Sequence, residues 1–310
     1  MGIVVIGAVF VDIKGFPEDA YIPDGRNAGH IEYVHGGVSR NVAENIANVE
    51  LRPTFVSIVD DTPMGEDVVN KLKRHKVNCD YILSLPSGMG TWLAVFDAHG
   101  ELAGSISQRP NMMPLLDLLE ERGDDIIGNA DSVVLEVDLD KEIVKKVFYL
   151  AEKYNKKVFS IVSNMTIAAQ RRDFIQRFDC FICNQLEAGI LFADDYSKKN
   201  TEELQEIISE KVMRARFPAM IVTMGGKGAV YADINGMKGH IPARNVHVVD
   251  TTGAGDAFCS GVVAALTYGK SLPEAVEIGS FLAASVITTS DNVCPRFLPS
   301  ELGLDLEVVD

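Results

Sequence analysis

Continuous apolar segments alternate with amphipathic helical patterns along most of this chain of 310 residues. The helical patterns place apolar residues on one face, as at Val38, Val42 and Ile46. Strands that are apolar on both faces and separated by helices are typical of a mainly parallel sheet that is covered on both sides. The sequence therefore predicts an α/β fold with three layers, α/β/α. The predicted strands are 3–10, 54–59, 132–137, 157–162, 180–183 and 219–224.

Two stretches interrupt this alternation and predict antiparallel strands outside the main sheet. Residues 12–35 contain glycine, proline and polar residues, with a short alternating piece at 29–34. Residues 91–107 alternate strongly between apolar and polar positions. No low-complexity linker or internal repeat divides the chain, so we expect one domain over residues 1–310.

Residues 250–258 read Asp-Thr-Thr-Gly-Ala-Gly-Asp-Ala-Phe and join two different patterns. The alternating apolar residues at 246–249 predict a strand before this motif. Apolar residues at helical spacing predict a helix over 258–268. The two glycines of the motif therefore lie where a strand turns into a helix. The same glycines superficially suggest a dinucleotide fingerprint, but Phe258 stands where that fingerprint needs a third small residue, and the motif does not lie in the first strand–helix unit.

The chemistry of this motif favours phosphoryl transfer to an alcohol. The backbone N–H groups of Gly253, Ala254 and Gly255 lie at a helix start, where they suit phosphate oxygens and can stabilise a transferring phosphoryl group. Asp256 repels phosphate, but its carboxylate can take the proton from an attacking hydroxyl. Because Asp256 lies in the first turn of the helix, we expect it to be ionised at neutral pH.

A second glycine motif, Gly36-Gly37-Val38-Ser39-Arg40-Asn41, lies near the N-terminus. The two motifs together resemble the signatures of the ribokinase-like (PfkB) carbohydrate and nucleoside kinases, and the resemblance covers essentially the whole chain. It implies a ribokinase-like fold in which the strands within about 12–35 and 91–107 form a small β lid over the sugar site. In the family such a lid is often also used for dimerisation, so a homodimer is expected.

The resemblance assigns substrate-binding roles near the N-terminus. An aspartate at the position of Asp12 holds adjacent hydroxyls, which a carboxylate with two acceptor oxygens can do; a turn or cap aspartate is the alternative. Gly36 and Gly37 would allow close backbone approach to a sugar, or would form a plain helix-start loop. Asn41 offers both a donor and an acceptor. These roles describe a polyhydroxylated substrate.

The wording around Arg40 resembles that of pseudouridine kinases within the family. The shared string is Arg-Asn-x-Ala-Glu-Asn at 40–45, and Asn-Val-Cys-Pro at 292–295 is also similar. Glu136, Asp138 and Ser160 depart from what that subfamily implies. Arg40 is a candidate substrate-binding residue; alternatively, it is a surface helix residue paired with Glu44, four positions on.

The resemblance also implies a nucleotide site and a metal site. Asn184-Gln185-Leu186-Glu187 is similar to the family's Asn-x-x-Glu element, in which Glu187 would orient Mg²⁺ through water and Asn184 would lie near the phosphates. A helix N-cap with Glu187 at its third position explains the same residues. ATP would also contact Thr223, Gly225, Gly228 and Thr252, although the glycines at 225–228 are equally typical of a hairpin. Asp250 and Thr252 would lie beside a monovalent cation such as K⁺.

We therefore expect an ATP-dependent kinase that phosphorylates the primary, 5′-type hydroxyl of a nucleoside, with pseudouridine as the first candidate. The alternatives are a ribokinase- or fructokinase-like sugar kinase and a non-enzymatic sugar-binding regulator on a kinase scaffold. The regulator is disfavoured because Asp256 and both neighbouring glycines are intact.

Charge and cysteine usage exclude several other classes of function. The net charge of −15 argues against binding to nucleic acid or to an anionic membrane, since both need basic patches. No apolar run reaches the ~18 residues of a membrane span. Five scattered cysteines indicate a reducing compartment, so we expect a cytoplasmic protein. Cys180 and Cys183 form a C-x-x-C pair, which we interpret as part of a buried strand because no second pair completes a metal site.

Overall fold

A computed structural model of the protein describes residues 2–304, without the side chains of residues 171 and 172. The strands are β1 (Val4–Ile6), β2 (Phe10–Pro17), β3 (Gly29–Gly36), β4 (Thr54–Asp60), β5 (Asn78–Leu85), β6 (Gly90–Phe96), β7 (Leu102–Gln108), β8 (Ser132–Glu136), β9 (Lys157–Ile161), β10 (Phe181–Asn184), β11 (Ala219–Thr223), β12 (Ala229–Asp233) and β13 (Lys238–Ile241). The helices are α1 (Val38–Asn48), α2 (Pro63–Arg74), α3 (Pro114–Gly128), α4 (Lys141–Lys153), α5 (Met165–Ala168), α6 (Arg172–Ile175), α7 (Gln185–Phe192), α8 (Thr201–Ala215), α9 (Ala254–Thr267) and α10 (Leu272–Val286).

The central sheet consists of two parts that meet at Ser160. The first part has the order β5-β4-β1-β8-β9, and all of its strands are parallel. The second has the order β10-β11-β12-β13, in which β10 and β11 are parallel and the others antiparallel. The Ser160 N–H donates to the Cys180 carbonyl (3.2 Å) and the Ser160 hydroxyl accepts from the Ile182 N–H (2.9 Å). Ser160 therefore joins β9 to β10.

Helices cover both faces of this sheet. Alternate residues of a strand point to opposite faces, so Val4 and Ile6 pack in one core and Val5 in the other. The first core includes residues of α3, α4, α7 and α8, and the second includes residues of α1, α2, α9 and α10. This is the three-layer α/β/α arrangement that the sequence predicts. Among the residues that the structure describes, no helix is both long and apolar enough to cross a bilayer.

A separate four-stranded sheet, here the lid sheet, has the order β3-β2-β6-β7. The pairs β2–β3 and β6–β7 are antiparallel, as predicted, whereas β2 and β6 are parallel. Asp12 lies opposite Trp92 in this register, so the two side chains share one face. Tyr33, Leu93 and Ile106 lie on the other face, where they are 61%, 41% and 70% exposed.

The segment 292–297, after the last long helix, is bound to α1. The Asn45 side-chain oxygen accepts from the Cys294 N–H (2.7 Å), and the Asn48 side-chain amide donates to the Cys294 carbonyl (2.6 Å). The Phe297 N–H donates to the Asn48 carbonyl (2.9 Å). The Asn292 amide donates to the His35 carbonyl (3.2 Å). These bonds connect the C-terminal part of the fold to the N-terminal glycine motif.

Three predicted elements differ from the structure. The apolar stretch 3–10 is not one strand, because β1 ends at Ile6 and the chain passes Gly7 against Ser39 and Glu136 without room for a side chain. Asp12 therefore lies within β2 of the lid sheet. Residues 246–249 form no strand; Val248 and Val249 are more than half exposed there, with no neighbouring strand for their backbone to pair with. The sequence pattern of residues 166–177 also predicts one helix, but this segment forms α5, a 3₁₀ turn and α6.

Candidate active site

The two glycine motifs meet where α1 and α9 begin. The side-chain amide of Asn41 donates a 2.6 Å hydrogen bond to a carboxylate oxygen of Asp256, across 215 residues of sequence. Asn41 lies in the first turns of α1, and Asp256 lies in the first turn of α9. The packing of these two helices therefore creates the contact that joins the N-terminal and C-terminal motifs.

Glycine is required at the residue that precedes each helix. Gly37 has φ of 96° and Gly253 has φ of 80°, a left-handed conformation that residues with a side chain rarely adopt. A Cβ at Gly37 would lie 2.8 Å from the Ala8 carbonyl oxygen, and one at Gly253 would overlap the Asn292 carbonyl. Gly255 differs, because a Cβ there would meet no atom within 4 Å. The first two glycines shape the backbone, whereas Gly255 borders open space.

The start of α9 presents backbone N–H groups to that open space. The Ala254 N–H donates to the Thr251 carbonyl (3.2 Å). If this N–H also contacted a phosphate, as predicted, it would divide its hydrogen bond between the phosphate and the Thr251 carbonyl. For the N–H groups of Gly253 and Gly255, no acceptor is found within residues 2–304. Unpaired amides at a helix start form a positive site for an anion.

Asp250 and Thr252 form a turn just before this helix. Both the N–H and the hydroxyl of Thr252 donate to the same carboxylate oxygen of Asp250, at 2.9 Å each. Partial burial raises the pKa of Asp250, but these bonds outweigh burial and lower it overall. Their roles at a cation and at the nucleotide remain predictions.

Burial raises the pKa of Asp256 to about 6. The hydrogen bond from Asn41 and the charge of Arg40 oppose this shift, while the carboxylates of Glu187 and Asp12 add to it. Loss of hydration is the largest effect on this carboxyl group, so its net pKa shift is upward although it lies at a helix start. A carboxylate with a pKa near 6 is still mostly ionised at pH 7, and it is a stronger base than an ordinary aspartate.

Asp12 projects from the lid sheet toward the same region. Its carboxylate lies against Gly36, where a Cβ would overlap it. Burial raises the pKa of Asp12, opposed by the charges of Lys14 and Arg40, and no hydrogen bond from the described residues contributes to that pKa. Asp12 lies within β2, so it is neither a turn nor a cap residue, and its two oxygens accept no hydrogen bond from residues 2–304. Substrate binding by Asp12, Gly36 and Gly37 remains a prediction.

Arg40 is buried in protein, with 1% of its surface exposed. Its guanidinium donates to the Glu44 carboxylate, to the His35 carbonyl and to the Asn41 side-chain oxygen. The predicted pairing with Glu44 is confirmed, but the prediction of a surface position is wrong, because segment 292–297 and α2 cover this part of α1. Direct contact between Arg40 and a substrate remains a prediction.

Asn184 and Glu187 form a reciprocal cap at the start of α7. The Glu187 N–H donates to the Asn184 side-chain oxygen (2.9 Å), and the Asn184 N–H donates to one carboxylate oxygen of Glu187 (2.7 Å). The cap interpretation is confirmed. Burial, together with the nearby charge of Asp138, raises the pKa of Glu187. Its second carboxylate oxygen takes no part in the cap, so a metal role remains a prediction alongside the cap.

A cleft of about 900 Å³ opens beside this cap. It brings together three residues predicted to bind nucleotide, namely Asn184, Thr223 and Gly225, with apolar walls from Leu186 and Ile190. Gly225 and Gly226 have no atom within 4 Å of a built Cβ, so this loop is open to a ligand.

Gly228 does not line that cleft. It has φ of 95° and would overlap the Ile241 carbonyl with any side chain, so its glycine is required by the antiparallel β11–β12 hairpin. The hairpin interpretation of the 225–228 segment is confirmed, and contact between Gly228 and a nucleotide remains a prediction.

Sequence reasoning missed a buried group at the end of β8. One oxygen of Glu136 accepts from the Ala8 N–H (2.9 Å) and the Ser39 hydroxyl (2.8 Å), while the other has no hydrogen-bond donor among the described residues. Burial, and then the neighbouring Asp138, raise the pKa of Glu136. Arg109 pairs with Asp138. The signal available in the sequence was the pair of carboxylates at the carboxyl end of a central strand, where α/β folds place ligands.

Comparisons with known proteins identify several similar kinases. The model of the pfkB family of carbohydrate kinases matches residues 2–294. A guanosine-inosine kinase from Exiguobacterium acetylicum is 36% identical over 292 residues, which cover 94% of this chain and 95% of the relative. A pseudouridine kinase from Escherichia coli is 24% identical over 276 residues, which cover 88% and 86%. Arabidopsis thaliana ribokinase, solved with ribose and ATP, superposes with a TM-score of 0.82 at 21% identity, covering 98% of this chain and 99% of that one.

The family match includes both glycine motifs and every residue of the site described above. In this site the Asp256 carboxylate lies beside helix-start amides for which the described residues offer no acceptor. The chain therefore belongs to the PfkB family of carbohydrate kinases, and it is a phosphotransferase whose acceptor is an alcohol group.

Proposed function

We propose that this kinase transfers the γ-phosphate of ATP to the primary, 5′-type hydroxyl of a nucleoside. The observation that carries the nucleoside assignment is the 36% identity to a guanosine-inosine kinase over nearly the whole of both chains. Identity to a pseudouridine kinase and to a fission yeast ribokinase is 24% in each case. We therefore rank guanosine and inosine first and pseudouridine second.

The chain's own residues supply the catalytic groups for this reaction. Asp256 orients the acceptor hydroxyl and accepts its proton as the bond to phosphorus forms. The N–H groups of Gly253 and Gly255 stabilise charge on the transferring phosphoryl group, because they are fixed before the reaction and have no acceptor in the described part of the chain. Asp12 holds the adjacent hydroxyls of the ribose. Trp92, beside Asp12 on the same lid face, offers an apolar surface to the substrate.

ATP and Mg²⁺ fit the cleft beside the cap at Asn184. The open glycine loop at Gly225 and Gly226 leaves space for a ligand, and the free oxygen of Glu187 is the hard donor that Mg²⁺ prefers. When bound, Mg²⁺ neutralises charge on the phosphates during transfer. Asp250, whose lowered pKa keeps it ionised, would lie beside K⁺.

The outer face of the lid sheet fits a second copy of this chain. Ile31, Tyr33, Leu93 and Ile106 are each at least 41% exposed there, and contiguous exposed apolar surface marks an interaction site. We propose a homodimer through this face. Light scattering that finds only monomers in solution would remove this proposal.

A panel of acceptors tests the proposed function. ADP release is measured with ATP, Mg²⁺ and K⁺ for guanosine, inosine, pseudouridine, ribose and fructose. We expect the best nucleoside to exceed both free sugars in kcat/KM by at least tenfold, about 1.4 kcal/mol. A free sugar that wins by tenfold would establish a sugar kinase instead. Absence of ADP release with every acceptor would favour a regulator.

Replacing Glu187 by glutamine separates its metal role from its cap role. We expect the Mg²⁺ concentration for half-maximal activity to rise by about tenfold or more, with a lower kcat, because a metal-orienting carboxylate is lost. Substrate binding without nucleotide, followed by the fluorescence of Trp92, the chain's one tryptophan, should change little.

Glu203→Gln is the matched control for this variant. Glu203 forms the same reciprocal cap with Asn200 at the start of α8, outside the site. Each variant should lose about 0.5–2 kcal/mol of stability at most from the weakened cap. If both variants respond to Mg²⁺ like the parent, Glu187 is a cap residue alone.

A further inference from the structure

The side-chain amide of Asn41 is held at both of its atoms. Its nitrogen donates to Asp256 (2.6 Å), and its oxygen accepts from the guanidinium of Arg40. An amide can present either its oxygen or its nitrogen by turning over. Because Arg40 has only donors, its contact requires the oxygen of Asn41 on its own side. The nitrogen of Asn41 must then face the carboxylate of Asp256.

Arg40 is itself fixed from several directions. It donates to the backbone carbonyl of His35 and, through Nε, to that of Gly36 (3.4 Å), which are the residues that lead into Gly37. The other terminal nitrogen of the Arg40 guanidinium pairs with the carboxylate of Glu44, one turn further along α1. Both Arg40 and Glu44 are buried, with side chains that are 1% and 0% exposed.

Glu44 is in turn balanced from the neighbouring helix. Its second carboxylate oxygen lies 3.1 Å from the Lys71 amine and 3.4 Å from the His75 ring, both on or just after α2. Burial alone would raise the pKa of Glu44, but the charges of Arg40, Lys71 and His75 together lower it. Glu44 therefore stays ionised and keeps the guanidinium of Arg40 in place.

A buried ion pair is a poor way to stabilise a helix interface, since apolar residues of similar volume often do as well or better. Unlike apolar residues, the charged side chains here fix the orientation of the Asn41 amide. We infer that Arg40, held by Glu44, is a positioning residue that orients the Asn41 amide toward the catalytic base Asp256. This inference rests on the proposed function of Asp256.

The pH dependence of turnover distinguishes this role from simple packing. Asn41 and Arg40, both on α1, lower the pKa of Asp256, whereas Glu187 on α7 and Asp12 on β2 raise it. Removing the guanidinium removes a favourable charge and releases the amide, so both changes raise the pKa of Asp256. A higher pKa means that less of the base is ionised at low pH, and the acidic limb of kcat moves to higher pH.

The experiment measures kcat and KM from pH 5 to pH 9 for Arg40→Gln, Glu44→Gln and Asn41→Ala, with guanosine or inosine as acceptor. We expect the acidic limb to move up by about one pH unit for Arg40→Gln and Asn41→Ala, the shift typical of losing a close favourable charge or hydrogen bond. Turnover should fall about tenfold below the limb and much less above it. KM for ATP should stay within a few-fold.

Glu50→Gln is the matched control. Glu50, two residues beyond the end of α1, pairs with Lys76 (2.8 Å) and Arg296 (3.8 Å) and has no recorded contact with Asn41. It should leave the limb in place. Thermal unfolding identifies variants that do not fold. Should Arg40→Gln be one of them, Asn41→Ala leaves the ion pair intact and still tests the amide.

The inference would be overturned if the acidic limb of kcat stayed at the same pH in the folded variants, or if kcat fell equally at every pH. Arg40 would then have only a packing role. Failure of the proposed function looks different. In that case the unmodified protein releases no ADP with any nucleoside, or prefers a free sugar, whatever the state of Arg40.

Discussion

Replacing Asp256 by asparagine is expected to lower kcat by roughly 10²–10⁴, the range for loss of a general base. Asparagine keeps the size of the side chain and can still accept the hydrogen bond from Asn41, but it cannot take a proton. Nucleotide affinity should stay within a few-fold, because the N–H groups of α9 remain in place. Steady-state kinetics with saturating nucleoside, together with nucleotide binding by calorimetry, would measure both effects.

The pH dependence of the unmodified enzyme tests the same assignment. Since the pKa of Asp256 in the free enzyme is raised to about 6, kcat/KM should rise with pH, reach half of its plateau near pH 6 and level off only about one pH unit higher, as the base becomes ionised. Asp131→Asn is a suitable control, since Asp131 accepts from the Tyr268 hydroxyl (3.2 Å) at the opposite end of α9. Turnover within threefold of the parent in a folded Asp256→Asn protein would defeat the mechanism.

The second large effect is expected from Gly253→Ala. This residue has φ of 80°, and its Cβ would overlap the carbonyl of Asn292. The start of α9 must then move, which displaces its N–H groups from the phosphoryl group. We expect kcat to fall by roughly 10²–10³, as for loss of an oxyanion-type donor. The free energy of unfolding should also fall by about 1–3 kcal/mol, because alanine is strained in the left-handed conformation that glycine adopts there.

Two other glycines separate the causes of this loss. Gly269→Ala introduces a similar strain, with φ of 85°, but its Cβ meets no atom within 4 Å and lies at the far end of α9. It should lower stability by about 1–2 kcal/mol with normal kcat. Gly255→Ala introduces neither backbone strain nor a clash, so it should leave the free energy of unfolding unchanged. Because the new methyl group enters the open space beside the helix start, it should weaken only phosphoryl transfer from the nucleotide. Normal turnover in a folded Gly253→Ala enzyme would contradict the amide role.

The layers of the fold follow from periodicity, but α1 shows where periodicity stops being informative. Val42 and Ile46 predict the helix correctly. Nothing in their spacing shows that Arg40, Glu44 and Asn45 are buried as well. Arg40 bonds to the end of β3, Glu44 pairs with α2, and Asn45 bonds to segment 292–297. A pattern of apolar and polar residues describes one helix against one core. It does not describe a helix that is covered on every side.

The sequence is enough to propose which residue acts as the base, whereas the pKa of that residue could not be predicted. The local order of glycine and aspartate in 250–258 selects Asp256 for that proposed role. Its pKa depends on burial and on carboxylates from Asp12 and Glu187, which are distant in sequence. The strand predicted at 246–249 is absent because strand formation also depends on distant residues. The apolar pattern at Val248 and Val249 leads to a strand only where another strand is present to pair with it.

The attachment of segment 292–297 to α1 has a consequence for the newly made chain. Asn45 is synthesised 249 residues before Cys294, its hydrogen-bond partner. At roughly 5–20 residues per second, α1 waits on the order of 10–50 s on the ribosome before that partner exists. During this time Asn41 has no Asp256 to contact, so the nascent chain cannot consume ATP. The polar groups of α1 meanwhile lack these partners, and the kinase becomes active only after residues 292–297 have been made.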